Sequence, residues 1–246
     1  VEEQFRHDAF HDTLTGLPNR ALFLDRLGQA VERSKRRPDF LFALLFLDFD
    51  RFKVINDSLG HTTGDHLLVA APQRLEGCLR TMDTIARLGG DEFVILLEYI
   101  DSPRDAIRVA ERIQETLRPP FHIDGHDIFI SASTGIVLST IGYERAEDVL
   151  RDADIAMYRS KALGRARYEL FNTSLRSMAM ARLEMETQLR HSLEHSEFSL
   201  YYQPILSLKD NRIVGFETLL RWMHPTMGAI APSEFVPGAE ETGLII

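Results

Sequence analysis

Apolar residues recur along this chain at two different spacings, and the switches between them mark out its elements. From Arg20 to Arg36, Leu22, Phe23, Leu27 and Val31 fall on roughly one face at helical spacing, which predicts a helix over 20–36. Gly16 and Pro18 break any helix before it and Asn19 can cap its start. Its basic end, Arg33 to Arg37, suits the negative end of a helix dipole. Phe40 to Phe49 is almost unbroken apolar chain, the pattern of a central strand covered on both faces. It ends in Asp48-Phe49-Asp50. Residues 51–64 read as a polar connecting segment carrying Lys53, Asn56, Asp57 and His61. A helix over 65–79 follows, with Leu68, Ala71, Leu75 and Leu79 in phase, and Pro72 is expected to kink it.

Two apolar runs, Thr84 to Leu88 and Phe93 to Glu98, flank Gly89-Gly90-Asp91-Glu92. Glycines between apolar runs predict a tight hairpin. Ser102 and Pro103 open a helix to about Leu117. Asp124-Gly125 joins a hairpin of 121–123 and 126–130, whose second strand is expected to run on through Ser131 to Ser139. A helix over 146–163 stops at Gly164, and 168–171 reads as a last strand. Strands alternating with helices predict an α/β or α+β domain over 12–172, a sheet covered by helices. Residues 1–11 read as the end of a linker helix, with Phe5 and Phe10 as anchors. After Asn172 the pattern resets. A methionine-rich helix over 175–193, strands over 198–208 and 212–222, and a helix over 232–242 form a second unit within 173–246. It is too small to close a core alone, so 196–246 is expected to be disordered or to depend on further chain for cover.

The net charge of −9 argues against broad nucleic-acid binding, which needs a basic surface. One cysteine, Cys78, excludes an internal disulfide and a cysteine zinc site and fits a reducing compartment. No run of about 18 apolar residues is present. This fits a cytoplasmic segment, with an upstream membrane anchor left open.

The chemistry concentrates at strand ends. Asp48 and Asp50 point to one face, as side chains two apart in a strand do. If that strand lies beside the hairpin, Asp48, Asp91 and Glu92 converge. Like charges at a partly desolvated strand mouth need compensation. Mg²⁺, taking a few carboxylates and phosphate oxygens, supplies it, and two such ions can clamp the oxygens of a phosphoryl transfer. A strand exit capped by acids, or a solvated acidic turn, is the plainer account. Lys53 suits a phosphate. Asn56 and Asp65 suit the donor edge of guanine, although each also fits a turn or cap. Lys161 and Arg165, one helical turn apart at a helix end, fit either the dipole or a phosphate clamp. Arg80 and Asp83 are spaced as a recognition pair for phosphate and purine, or sit in a solvated turn.

These residues together resemble the GGDEF domain of the diguanylate cyclases. The matching stretches are Gly89-Gly90-Asp91-Glu92-Phe93, Asp12-Thr13-Leu14-Thr15-Gly16-Leu17-Pro18-Asn19-Arg20 and Leu47-Asp48-Phe49-Asp50-Arg51-Phe52-Lys53-Val54-Ile55-Asn56-Asp57, with Gly60-His61 and Gly64-Asp65. The resemblance implies a nucleotidyl-cyclase, palm-like fold with a mostly antiparallel central sheet flanked by helices. It implies condensation of two GTP into cyclic di-GMP and two pyrophosphates across a homodimer, with Mg²⁺ or Mn²⁺. Asp48, the Phe49 carbonyl and Asp91 are then metal ligands. Asp91 and Glu92 stand at the reacting phosphate, where one helps deprotonate a 3′-hydroxyl. Lys53, Lys161 and Arg165 meet phosphates, Asn56 and Asp65 meet guanine, and Gly89 and Gly90 leave room for the nucleotide. Arg80 and Asp83 match an inhibitory product site.

The second unit resembles the start of an EAL phosphodiesterase domain, a (β/α)₈-type barrel. The matches are Tyr202-Gln203-Pro204, Gly215-Phe216-Glu217-Thr218-Leu219-Leu220-Arg221-Trp222 and Pro232-Ser233-Glu234-Phe235. Thr218 replaces the alanine of the name-giving triplet, while Glu217 keeps the expected metal ligand. Only the barrel's first strands are here, so no phosphodiesterase activity is expected of this chain. The alternative to catalysis is a GTP-binding regulatory module for a downstream EAL domain, in a longer protein with an upstream sensor domain.

Overall fold

The structure is a computed structural model and describes residues 9–244. The expected helix over 1–11 lies almost entirely outside those residues. The chain divides into two compact units at Leu175 and Arg176.

The first unit is built around β1 (Phe42–Phe49), buried along its whole length. Antiparallel β3 (Glu92–Glu98) pairs on one side and β6 (Ala132–Leu138) on the other. Beyond β3 lies β2 (Thr84–Gly89), and beyond β6 lies β7 (Tyr168–Leu170), the one parallel neighbour. Alternate residues of β1 go to opposite faces. Ala43, Leu45, Leu47 and Phe49 meet α3 (His61–Glu76) and α4 (Pro103–Leu117). Phe42, Leu44 and Phe46 meet α1 (Arg20–Arg36) and α5 (Ala146–Ala162). The result is a three-layer unit whose mostly antiparallel sheet carries helices on both faces.

Local signals account for the helix starts. The Asn19 side chain accepts from the amides of Ala21 and Leu22 at 3.0 and 3.1 Å. The Asp105 carboxylate accepts from the Ser102 amide at 2.9 Å, with Pro103 in first position.

Several expectations are corrected. Residues 51–64 are not a connecting loop. They hold α2 (Phe52–Leu59), followed after Gly60 by the start of α3. Gly60, at φ 88°, makes a corner that other residues adopt only with strain. Pro72 is buried inside α3, which runs through it. The hairpin of β4 (Phe121–Ile123) and β5 (His126–Ile128) is its own two-stranded sheet, so β6 is a new strand rather than a continuation of β5.

In the second unit, residues 196–244 are ordered rather than disordered. Antiparallel β8 (Phe198–Leu206), β9 (Ile213–His224) and β10 (Gly228–Ile230) form a sheet of order β10-β9-β8. Trp222 is fully buried with Leu189 of α6 (Thr173–Glu194) and Phe235 of α7 (Pro232–Glu241). Its indole N–H donates to Ser192 Oγ at 2.9 Å. No closed barrel forms among the described residues. Tyr202, Phe216 and Leu208 stay exposed, and so does Glu217.

Candidate active site

The acidic end of β1 is set by register. Asp48 pairs with Glu92 of β3 on one side and Ser133 of β6 on the other. The Phe49 amide donates to the Asp91 carbonyl at 3.3 Å. Residues 42, 44 and 46 pack under α1 and α5, so Asp48 emerges on that face and meets the last turn of α5. There the Lys161 ammonium lies 2.8 Å from Asp48 Oδ2. The acidic cluster therefore has a basic partner, which the sequence reading did not anticipate. Helix α5 reaches this position because β6 carries Gly135. A Cβ there would stand 2.0 Å from the Ala153 carbonyl oxygen.

The electrostatics follow from crowding. Burial pushes the Asp48 carboxyl up to about 6; the Lys161 hydrogen bond opposes this, and the Asp91 and Glu92 charges add to it. Burial also raises Glu92, with Asp154 and Asp91 adding and Lys161 and Arg20 opposing. Asp154 of α5 keeps solvent contact, yet the protein packed around it raises its carboxyl while Lys161 opposes. Asp154 was missed from the sequence. Its position two helical turns before Lys161 places both on one face of α5, and that spacing was the available signal.

The Gly89–Glu92 hairpin is held from outside. Arg87 donates through Nε and NH2 to the Gly90 carbonyl at 3.0 and 2.8 Å, and through NH1 to Asp12 Oδ1 at 2.9 Å. Asp12 in turn accepts from the Thr15 amide and hydroxyl at 2.9 and 2.7 Å. Burial raises Asp12, but the bonds from Thr15 and Arg87 outweigh it and leave the carboxyl below its usual range. Gly89 and Gly90 have φ of 143° and 52°, and a Cβ on either would meet open space. The glycines thus serve backbone conformation and leave the tip uncovered.

The remaining candidates stand on other elements, and Arg80 and Asp83 precede β2 at the end of the sheet opposite the Gly89–Glu92 hairpin. Lys53 and Asn56 stand on α2 and Asp65 on α3. The Asn56 Oδ1 is buried and has no hydrogen-bond partner. Gly64 makes room for it, since a Cβ there would lie 1.9 Å from that oxygen. Arg165 lies beyond the end of α5, at φ 63°. Arg80 and Asp83 form one turn, in which the Arg80 amide donates to Asp83 Oδ2 at 2.8 Å. This turn borders a cavity of about 290 Å³ that Arg108 and Arg112 of α4 also line. Among the described residues, no three His, Cys, Asp or Glu side chains form a ready metal cage.

Residues 9–167 match the family described as diguanylate cyclase, GGDEF domain, and residues 186–246 match the EAL domain. The chain is 44% identical over 238 residues to the Pseudomonas aeruginosa bifunctional diguanylate cyclase/cyclic di-GMP phosphodiesterase MucR, covering 97% of this chain and 34% of MucR. It is 39% identical over 240 residues to the cyclic di-GMP phosphodiesterase NbdA of the same organism, covering 98% of this chain and 30% of NbdA. It thus spans about a third of the length of these relatives. Among solved structures, the GGDEF domain of TpbB (YfiN) from Pseudomonas aeruginosa superposes with a TM-score of 0.66 at 41% identity, covering 69% of this chain and 99% of that one. The diguanylate cyclase SiaD, solved with its activator SiaC from Pseudomonas aeruginosa, gives 0.62 at 34%, covering 69% and 64%. With the motifs, the sheet order and these matches in agreement, the chain belongs to the GGDEF-domain diguanylate cyclase family, its GGDEF domain followed by the opening segment of an EAL domain.

Proposed function

We propose that this chain condenses two GTP into cyclic di-GMP, each copy of the domain supplying half of the site in a homodimer. The observation that carries the reading is Asp48 in register with Glu92, with Asp91 beside them and Lys161 on Asp48. Oxygen ligands at a crowded anionic strand end suit a hard cation, Mg²⁺ or Mn²⁺, which Asp48, Asp91 and the Phe49 carbonyl would hold. When bound, the ion neutralises charge on the transferring phosphate. The protein provides few ligands of its own, in keeping with an ion completed by substrate phosphates.

The chain's own residues do the rest. Lys161 balances Asp48 in the free protein and meets phosphate once another cation takes that role. Arg165 and Lys53 add phosphate contacts. Asn56 and Asp65 read guanine, and the unpartnered Asn56 oxygen suits a donor on the base. The raised pKa of Glu92 makes it a stronger acceptor for the 3′-hydroxyl proton. Arg80 and Asp83, with Arg108 and Arg112, form the product-binding site through which synthesis is restrained. SiaD is named as a diguanylate cyclase, and DgcB from Caulobacter crescentus, 29% identical, was solved in complex with c-di-GMP.

The test is purified protein with GTP and Mg²⁺, with cyclic di-GMP measured by mass spectrometry. Wild type makes product and Asp91→Ala does not. GTP binding without product would overturn the reading in favour of a regulatory module. That second reading draws on the relative NbdA, which is named a phosphodiesterase although it matches nearly all of this chain.

A further inference from the structure

Asp50, two residues beyond Asp48, has no part in the chemistry above, yet it is buried and densely bonded. Its Oδ1 accepts from Ser133 Oγ at 2.7 Å and its Oδ2 from Ser131 Oγ at 2.6 Å. Oδ2 also accepts from the backbone amide of Ala166 at 3.0 Å, 116 residues away in sequence. Ala166 follows Arg165, and both hold left-handed backbone angles, φ 63° and 50°. Neither is glycine, so each resists that conformation. Two non-glycine residues in succession stay there only when the surroundings hold them.

The rest of the turn is fastened elsewhere. The Arg165 amide donates to the Ser160 carbonyl at 3.1 Å, and the Arg167 carbonyl accepts from the Thr134 amide at 2.9 Å and Ser160 Oγ at 2.8 Å. The Ala166 amide alone depends on Asp50. We propose that Asp50 is a positioning residue, whose carboxylate holds the Arg165–Ala166 turn and so delivers the Arg165 guanidinium to the triphosphate. This rests on the reading of Arg165 as a phosphate contact. Asp48 and Asp50 thereby divide the work of one strand end. One faces the reacting phosphate, and the other links that strand to the loop carrying its cation.

The binding test uses a non-hydrolysable GTP analogue, with amide exchange at Ala166 followed in the free protein. Asp50→Ala should weaken binding about tenfold, the size of one charge-assisted hydrogen bond, and speed exchange at Ala166. Asp50→Asn keeps an acceptor for that amide and should bind within about twofold of wild type. Asp50→Ser, with a single oxygen one bond nearer the backbone, cannot keep all three bonds and stands in for Asp50→Ala if the alanine variant does not fold, with the same loss of binding and faster exchange expected. In an Arg165→Ala background, Asp50→Ala should cause no further loss. Additive losses, unchanged binding in Asp50→Ala, or equal failure of Asp50→Asn would overturn the inference. A wild-type protein that makes cyclic di-GMP while any of these holds leaves the proposed function standing. A wild type that binds no analogue overturns the function, and with it the delivery of Arg165. Exchange at Ala166 then still reads whether Asp50 holds the turn.

Discussion

Replacing Asp48 with asparagine should make the metal-free protein more stable while ending its activity. The Asp48 carboxyl is raised from 3.8 to about 6, first by burial and then by the neighbouring Asp91 and Glu92 charges, against the pull of Lys161. A folded-state pKa above the unfolded value means that the folded chain binds the proton more tightly. The associated stability is fully present below pH 3.8 and is lost as pH rises through about 6. At 1.36 kcal/mol per pH unit, ionised Asp48 costs the fold up to about 3 kcal/mol at neutral pH. Asparagine resembles the protonated acid and escapes that cost. Urea unfolding without divalent ions should therefore show Asp48→Asn more stable than wild type by up to about 3 kcal/mol at pH 7.5, and nearly equal to it at pH 3.5. Added Mg²⁺ should stabilise wild type, by about 2.7 kcal/mol at a hundred times its dissociation constant, and leave the variant unmoved. A variant no more stable than wild type at pH 7.5, or a difference that does not change with pH, would refute the reasoning.

Three other substitutions probe the scaffold. Gly64→Ala sets a Cβ 1.9 Å from Asn56 Oδ1, so GTP affinity should fall at least about tenfold, with a stability loss of about 1 kcal/mol; calorimetric titration reads the first and urea unfolding the second. Gly135→Ala sets a Cβ 2.0 Å from the Ala153 carbonyl oxygen and 2.3 Å from the Met157 nitrogen, backbone atoms that cannot swing aside. It should cost about 3 kcal/mol in thermal or urea unfolding. Arg87→Ala strands Asp12 and frees the Gly90 carbonyl; a loss of about 2 kcal/mol is expected, since Asp12 is only partly buried, with a larger fall in kcat than in GTP affinity.

Much of this arrangement was legible in the chain. The ten-residue apolar run around β1, the glycine hairpin, and the caps at Asn19 and Ser102 each act within a few residues, so their signals are local. Each departure has its own physical cause. Helix α2 escapes the periodicity because its apolar stripe is short, and its polar face has the pattern of a turn. The strand after Asp124-Gly125 was run through Ser131 because periodicity does not show where a strand leaves one sheet for another. The left-handed backbone at Arg165 and Ala166 has no composition signal, since neither residue is glycine.

By itself the sequence determined which candidate residues for a nucleotide site are present and which strand ends carry them. It also set the division between a GGDEF unit and an EAL beginning, because motifs and periodicities are written in neighbouring residues. Only the tertiary structure decided the partnerships. Lys161 is the counter-charge of Asp48, 113 residues earlier. Arg87 ties the hairpin to Asp12, 75 residues away. Asp50 reaches across to Ala166. The physical reason is register. Sheet pairing and helix packing bring these groups within hydrogen-bond distance, and no local pattern encodes which distant amide or ammonium will fill the space beside a buried carboxylate.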